Sequence, residues 1–264
     1  MKIFLQFPFV VSMAIISVLS ILIFLAAEKL TRKRIHHDTL MENHAVSGFI
    51  YNAVCVIYAV LIAFVVFVIW GNLEKTNSKI EGEANNLLNL YYDASVFPDS
   101  IKKDIQATIR EYVYRVTTAE WNVMGEGKTD SVAARQFIKL NRIYLSIKSN
   151  EVANPEVLSQ SLENMKDVRE FRRHRLLSSK QSMPDMLWIV LILSTVMIVA
   201  FTFFFSIKNI LLNNMMISLL IFVSVLVLYL VYVMDHPYTG VDAIKPDAFQ
   251  PLMDIVNRVG KLNN

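Results

Sequence analysis

Gly48, Asn52, Cys55, Ala59 and Ala63 recur at intervals of four, three, four and four residues, inside a stretch (Ser47–Trp70) without a single charge. That spacing places them on one face of a helix. Small residues on an apolar helix let a neighbouring backbone approach closely, and the Asn52 amide must find a partner because an unpaired amide is costly in hydrocarbon. Helix packing accounts for such a face. The functional reading is a conduction pathway, in which the amide, with Tyr51 and Tyr58 alongside, replaces part of an ion's hydration shell. Phe201, Phe203, Phe204 and Phe205 crowd the end of a second apolar stretch. Rings of apolar side chains gate pores by dewetting, with Phe201, Phe204 and Phe205 as candidates; the plainer use of such a cluster is packing or lipid contact. In "REFRRHR", Arg169, Arg172 and Arg173 share a helix face with Arg175 beside it. They suit either the anchoring of anionic lipid head groups or a vestibule that concentrates anions. Only the second makes conductance depend on salt through these residues.

Other chemistry finds little support. His36, His37, Asp38 and His44 share a loop but lack paired ligand spacing, so no metal site is expected. There is no G-x-S-x-G, P-loop, H-E-x-x-H or dinucleotide fingerprint, hence no cofactor is expected. Glu120-Trp121, before "MGEGKTD", reads as a packing indole and an acid paired with Arg115 or Lys128. With no constellation of acid, base and nucleophile, the chain is not expected to be an enzyme.

The elements that must position these residues are legible in the hydropathy. The chain has 264 residues, 54% apolar and 19% charged, too hydrophobic for an ordinary soluble domain and too charged to be membrane throughout. A net charge of +3 gives no ground for a nucleic-acid partner, and one cysteine allows no intrachain disulfide. Four windows lack charge: Phe7–Ala27, Ser47–Trp70, Met186–Ile207 and Ile210–Met234. About 20 apolar residues cross a bilayer core, and backbone in hydrocarbon must satisfy its own hydrogen bonds, so each is expected to be a transmembrane helix. The first is read as a retained anchor, since its apolar core is too long for a signal peptide. The absence of charge within the windows argues against a proton relay and for a passive pathway.

Residues 71–185 hold 17 Lys+Arg and 16 Asp+Glu with apolar positions at helical spacing. Leu73, Ile80, Ala84, Leu87 and Tyr91 continue the second span; Ile101, Ile105, Ile109, Tyr112, Val116 and Val123 mark a helix capped by Asp99 or Ser100. A third follows Asp130, and a fourth follows the Asn154-Pro155 cap and runs towards the third span. The expected architecture is an all-α integral membrane protein. It comprises a first hairpin (1–70), a soluble helical-bundle insert (71–185), a second hairpin (186–234) and a C-terminal tail (235–264) with one amphipathic helix. Flanking cations favour a cytoplasmic insert in the inner membrane, although Arg32-Lys33-Arg34 point the other way.

The second span followed by "NLEKTNSKIEGEANNL" resembles the bestrophin-like family of bacterial and plant membrane proteins, as do "EYVYRVTTAEW", "FTFFFSIKN" and "MDHPYTG" in the same order. Asn43-His44-Ala45 departs from the family pattern by lacking an acid, and Ser206 by replacing a glycine. The resemblance implies a relation to bestrophins, which are pentameric anion channels, and so a homo-oligomer among membrane lipids that passes small ions. No acidic run like the calcium clasp of bestrophins is present. The alternative is a non-conducting scaffold or sensor whose insert binds a soluble partner, for which Tyr91-Tyr92 and the mixed-charge surface speak.

The last span ends on Asp235, His236, Pro237 and, after a turn, Gly240. Pro237 biases His236 away from helix and Gly240 permits a turn. An acid at a helix C-terminus is unfavourable against the dipole, so Asp235 is expected to pair with a cation from Arg172–Lys180 and lock the tail to the insert. His236 has no assigned role.

Overall fold

The computed structural model describes residues 5–34, 44–205 and 209–262. These residues are helical, with turns and no strand among them. Helix α1 is Phe9–Arg34 and α2 is His44–Asp93. With no proline between 44 and 93, nothing interrupts α2, which is 50 residues and about 75 Å long. A 3₁₀ turn (Ala94–Val96) and Pro98 end it.

Helix α3 (Asp99–Arg115) starts on Pro98 without a side-chain cap, so Asp99 sits in its first turn rather than at the expected capping position. One turn of π-helix, Val116–Glu120, joins it to the short α4 (Trp121–Met124). Asp130 caps α5 (Ser131–Ser146) by accepting from the Ala133 N–H. Asn154 caps α6 (Pro155–Ser178), and Pro155 fills its first position. α6 does not run on into the third span, as the sequence had suggested. It ends at Ser178, and Pro184, which has no N–H to give, begins α7 (Asp185–Phe201) afresh. Asn209 caps α8 (Ile210–Asp235) through the Leu212 N–H, and α9 is Gln250–Leu262.

Among the described residues, four helices are long and apolar enough to cross a membrane: Phe9–Thr31, Ser47–Val96 by its apolar part, Asp185–Phe204 with its terminal turn, and Ile210–Asp235. The chain divides into two compact units. The first comprises Met1–Gly71, Ser182–His236 and Gly240–Asp242; the second comprises Asn72–Gln181, Pro237–Thr239 and Ala243–Asn264.

The first unit is held by small apolar clusters rather than one core. Val65, Ile69, Met183, Leu191 and Val231 form one; Val199, Ile217 and Ile221 form another. The second unit has one continuous core that includes Leu87, Leu90, Ile105, Ile109, Leu140, Tyr144 and Val168. Phe249, Leu252 and Val256 belong to that core, so the C-terminal helix α9 is part of the unit and not a loose tail.

The turn after α8 differs from expectation in its partner. Asp235 Oδ1 accepts from the Met183 N–H (2.6 Å) and Oδ2 from the Trp188 indole N–H (3.2 Å). No lysine or arginine pairs with it among the described residues. The two N–H donors offset the unfavourable dipole. The lock therefore joins the end of α8 to the start of α7 within the first unit. His236 Nδ1 lies 3.0 Å from the Tyr232 carbonyl, with its ring 4.5 Å from the Tyr232 ring. The Pro237 carbonyl accepts from the Ile244 N–H (2.8 Å). Gly240 has φ +95°, and a Cβ there would stand 2.2 Å from the Leu5 carbonyl oxygen, so only glycine fits. Val241 N–H donates to that same oxygen, and Asp242 accepts from the Phe9 N–H, capping α1.

Candidate functional site

The residues singled out on α2 separate into two groups. At 100° per residue, Gly48, Asn52, Ala59 and Ala63 fall within about 60° of one another, with Cys55 at their margin. Asn52, Ala59 and Ala63 are exposed in the chain, while Gly48 and Cys55 are half-buried. No heavy atom lies within 4 Å of a Cβ built on Gly48. Across 47–70, only Val65 and Ile69 are buried. Among the described residues, none buries this face of α2, although Gly48 and Cys55 are partly covered.

Tyr51 and Tyr58 do not share it. The Tyr58 hydroxyl lies 2.7 Å from the Thr195 hydroxyl on α7, which itself donates to the Leu191 carbonyl. The Tyr51 ring stacks on Phe201 (5.5 Å) and meets Phe205 edge-on (5.3 Å). Phe201 also touches Phe204 (5.6 Å) and Phe205 (6.0 Å). Tyr51, Phe201, Phe204 and Phe205 thus form one aromatic cluster at the end of α7. Phe203 leaves it to pack against Phe24 of α1.

The arginines of α6 are not a single surface patch. Arg169 and Arg173 are exposed, and Arg169 donates to Asn141 (2.6 Å). Arg172 and Arg175 are buried, at 5% and 0% exposure, where they can touch neither head groups nor a vestibule. Arg175 donates to Glu83 (2.7 Å) and Glu120 (3.0 Å); Arg172 binds both Glu120 oxygens at 2.8 Å. The Tyr112 hydroxyl accepts from Arg172 (2.8 Å) and donates to Glu83. Glu120 therefore pairs with neither expected partner: Arg115 binds Asp130 (3.2 Å) and Lys128 binds Glu126 (2.6 Å). Two cations face two anions, and every carboxylate oxygen has a donor. Burial works against the Arg175 charge, but Glu83, Tyr112 and Glu120 together hold its pKa well above the ordinary value. Burial, seconded by Glu83, raises the Tyr112 pKa, so its phenol stays a neutral donor. With no open position for a substrate atom, this cluster binds α2, α3, the π turn and α6 together.

Comparison with known proteins agrees with the helical arrangement. The family model of the bestrophin-like domain matches residues 14–249. The chain belongs to the bestrophin-like family. Among solved structures, a single-residue variant of a bacterial bestrophin homologue from Klebsiella pneumoniae superposes with a TM-score of 0.69 at 8% identity, covering 94% of this chain and 97% of that one. A second variant of the Klebsiella homologue gives 0.66 at 8% identity, covering 94% and 98%. A membrane-protein variant gives 0.69 at 8% identity, covering 92% and 96%. No curated protein matches significantly.

This bestrophin-like chain also holds a buried carboxylate just past its first charge-free window. α1 runs past its apolar window and carries Glu28 on a buried face (3% exposed), where Asn213 of α8 donates to it at 2.6 Å. Ionisable groups inside spans are rare and mark function or tight pairing. Glu28 lies one residue beyond the window Phe7–Ala27, so counting charge-free residues passed over it. Of the loop histidines, His36 and His37 lie outside the described residues with Asp38, as do Ser206 and Lys208. Among the described residues, no group of His, Cys, Asp and Glu could hold a metal.

Proposed function

We propose that this bestrophin-like chain is the subunit of an oligomeric membrane channel for small anions, with the Gly48, Asn52, Cys55, Ala59 and Ala63 face of α2 lining the pathway. The observation that carries this reading is the Asn52 amide, exposed five residues inside the charge-free stretch Ser47–Trp70. An amide turned to lipid is costly, whereas one turned to a water-filled axis between copies of the chain is not. By analogy with bestrophins the assembly is a pentamer in the inner membrane with its second unit in the cytoplasm. Phe201, Phe204 and Phe205 then serve as a hydrophobic gate that Tyr51 steadies. Arg169 and Arg173, being exposed, remain suited to anionic head groups or permeating anions.

Purified protein in planar bilayers tests this. Unitary currents are expected, with a reversal potential altered by Asn52→Leu. Silence at every voltage and salt gradient sinks the reading. Tyr92, 54% exposed beside the buried Tyr91, favours the second reading, a scaffold whose second unit binds a soluble partner. A monomer without an axial pathway, holding a stable partner, would support it instead.

A further inference from the structure

Helix α5 presents an outer face that its own core does not need. Inward, Ala133, Leu140 and Tyr144 are fully buried. Outward stand Arg135, Lys139 and Arg142, all exposed, and the helix contains no acidic residue. None of the three engages in an ion pair among the described residues. On the same side lie Ile138, 53% exposed, and Leu145, 68% exposed. These are the two most exposed large aliphatic side chains among the described residues of the second unit. Positions 135, 138, 142 and 145 follow steps of three, four and three, so they form one stripe about 15 Å long. Arg169 of α6, held by Asn141, adds a fourth cation at its edge.

We propose that this face docks an acidic amphipathic helix of a partner protein. Two aliphatic residues seven apart, flanked by cations at fixed helical positions, complement a helix with apolar residues at the same interval and carboxylates beside them. A bilayer surface is the poorer fit. Helices that lie on lipid bury a continuous apolar sector, often with Trp or Phe, whereas this face offers two isolated aliphatics and no aromatic. The inference stands whether or not the chain conducts.

The test uses the full chain in nanodiscs of zwitterionic lipid. The probe is a labelled 18-residue helical peptide with leucines at heptad spacing and glutamates on either side. Saturable binding is expected, weakened at least ~10-fold by Arg135→Glu with Arg142→Glu, and at least ~5-fold by Ile138→Ser with Leu145→Ser. Binding should also weaken with rising salt and at least ~10-fold for a scrambled peptide of the same composition. The altered side chains point outward, so thermal midpoints should stay unchanged; if one pair fails to fold, the other decides. No binding overturns the proposal, as does equal binding of the scrambled peptide or equal binding by the variants. Preference for phosphatidylserine vesicles over the peptide, lost in the same variants, overturns it in favour of a membrane surface.

Discussion

Arg175 has no exposed surface and yet carries a charge, which it keeps because Glu83 and Glu120 meet it at hydrogen-bonding distance. Removing one partner of a buried pair leaves the other uncompensated, at a cost of about 3–5 kcal/mol. Arg175→Ala is therefore expected to lower the thermal midpoint of the detergent-solubilised protein sharply, or to prevent folding, whereas Arg173→Ala should leave it unchanged. An equal effect of the two would contradict the buried cluster. The sequence offered "REFRRHR" but not which arginines point inward. The signal was there in phase, since Met165, Val168, Arg172 and Arg175 step by three, four and three along one buried face. Charge alone had argued for the surface. A second residue-scale expectation concerns pH. Burial raises the Asp130 pKa, but the backbone N–H groups of Ala133 and Val132, with Arg115, outweigh it and bring it below the ordinary 3.8. A depressed folded pKa gives stability that is present above that ordinary value and is lost as pH falls through the folded one. The gap in thermal midpoint between wild type and Asp130→Asn should thus be constant near neutrality and narrow below about pH 4. A gap that widens in acid would refute the stabilising role given to the Asp130 charge.

Among the elements, the π turn at Val116–Glu120 decides what the second unit buries. In an uninterrupted α-helix, Trp121 would stand about 180° around from Tyr112. The extra residue in the turn brings Glu120, Trp121 and Met124 back to the core side. This is why Met124 is fully buried and Val123, chosen by α-helical spacing, is only half so. Hydroxyls of Thr117 and Thr118 donate to the Val113 and Tyr114 carbonyls along the same stretch. Periodicity located the helix but could not see a one-residue change of phase, because the chain on either side is regular. Trp121 is fixed by its indole N–H to the Ile244 carbonyl (2.8 Å), so Trp121→Phe should cost about 1–3 kcal/mol in chemical denaturation. No measurable loss would show that the bond does not hold the C-terminal segment. The turn after α8 behaves similarly. Its glycine was legible; the hydrogen-bond donors to Asp235 were not, since a backbone N–H leaves no mark on a sequence. Asp235→Ala strips Met183 N–H and the Trp188 indole of their acceptor, and Gly240→Ala drives a methyl into the Leu5 carbonyl. Both should lower the thermal midpoint, and Gly240→Ala the more severely because the clash is with backbone. A midpoint unchanged in both would dismiss the turn as a lock.

At the scale of the whole molecule, the four apolar helices among the described residues were legible in hydropathy, because a membrane imposes length and charge exclusion on any chain that crosses it, while the family was legible only through its resemblance. What an assembly would show was not legible. The polar-small face of α2 is not buried by the described residues of one chain, and in the proposed channel its role depends on what other copies place opposite it. The decisive measurement is current block by charged thiol reagents, in planar bilayers, on a Cys55→Ser background. Asn52→Cys lies on the proposed pathway; Ile57→Cys, about 140° around the helix and 71% exposed, lies away from it. Currents through the first variant should be blocked rapidly and those through the second left intact. Equal insensitivity of both, or no current in either, would contradict a pathway lined by Asn52.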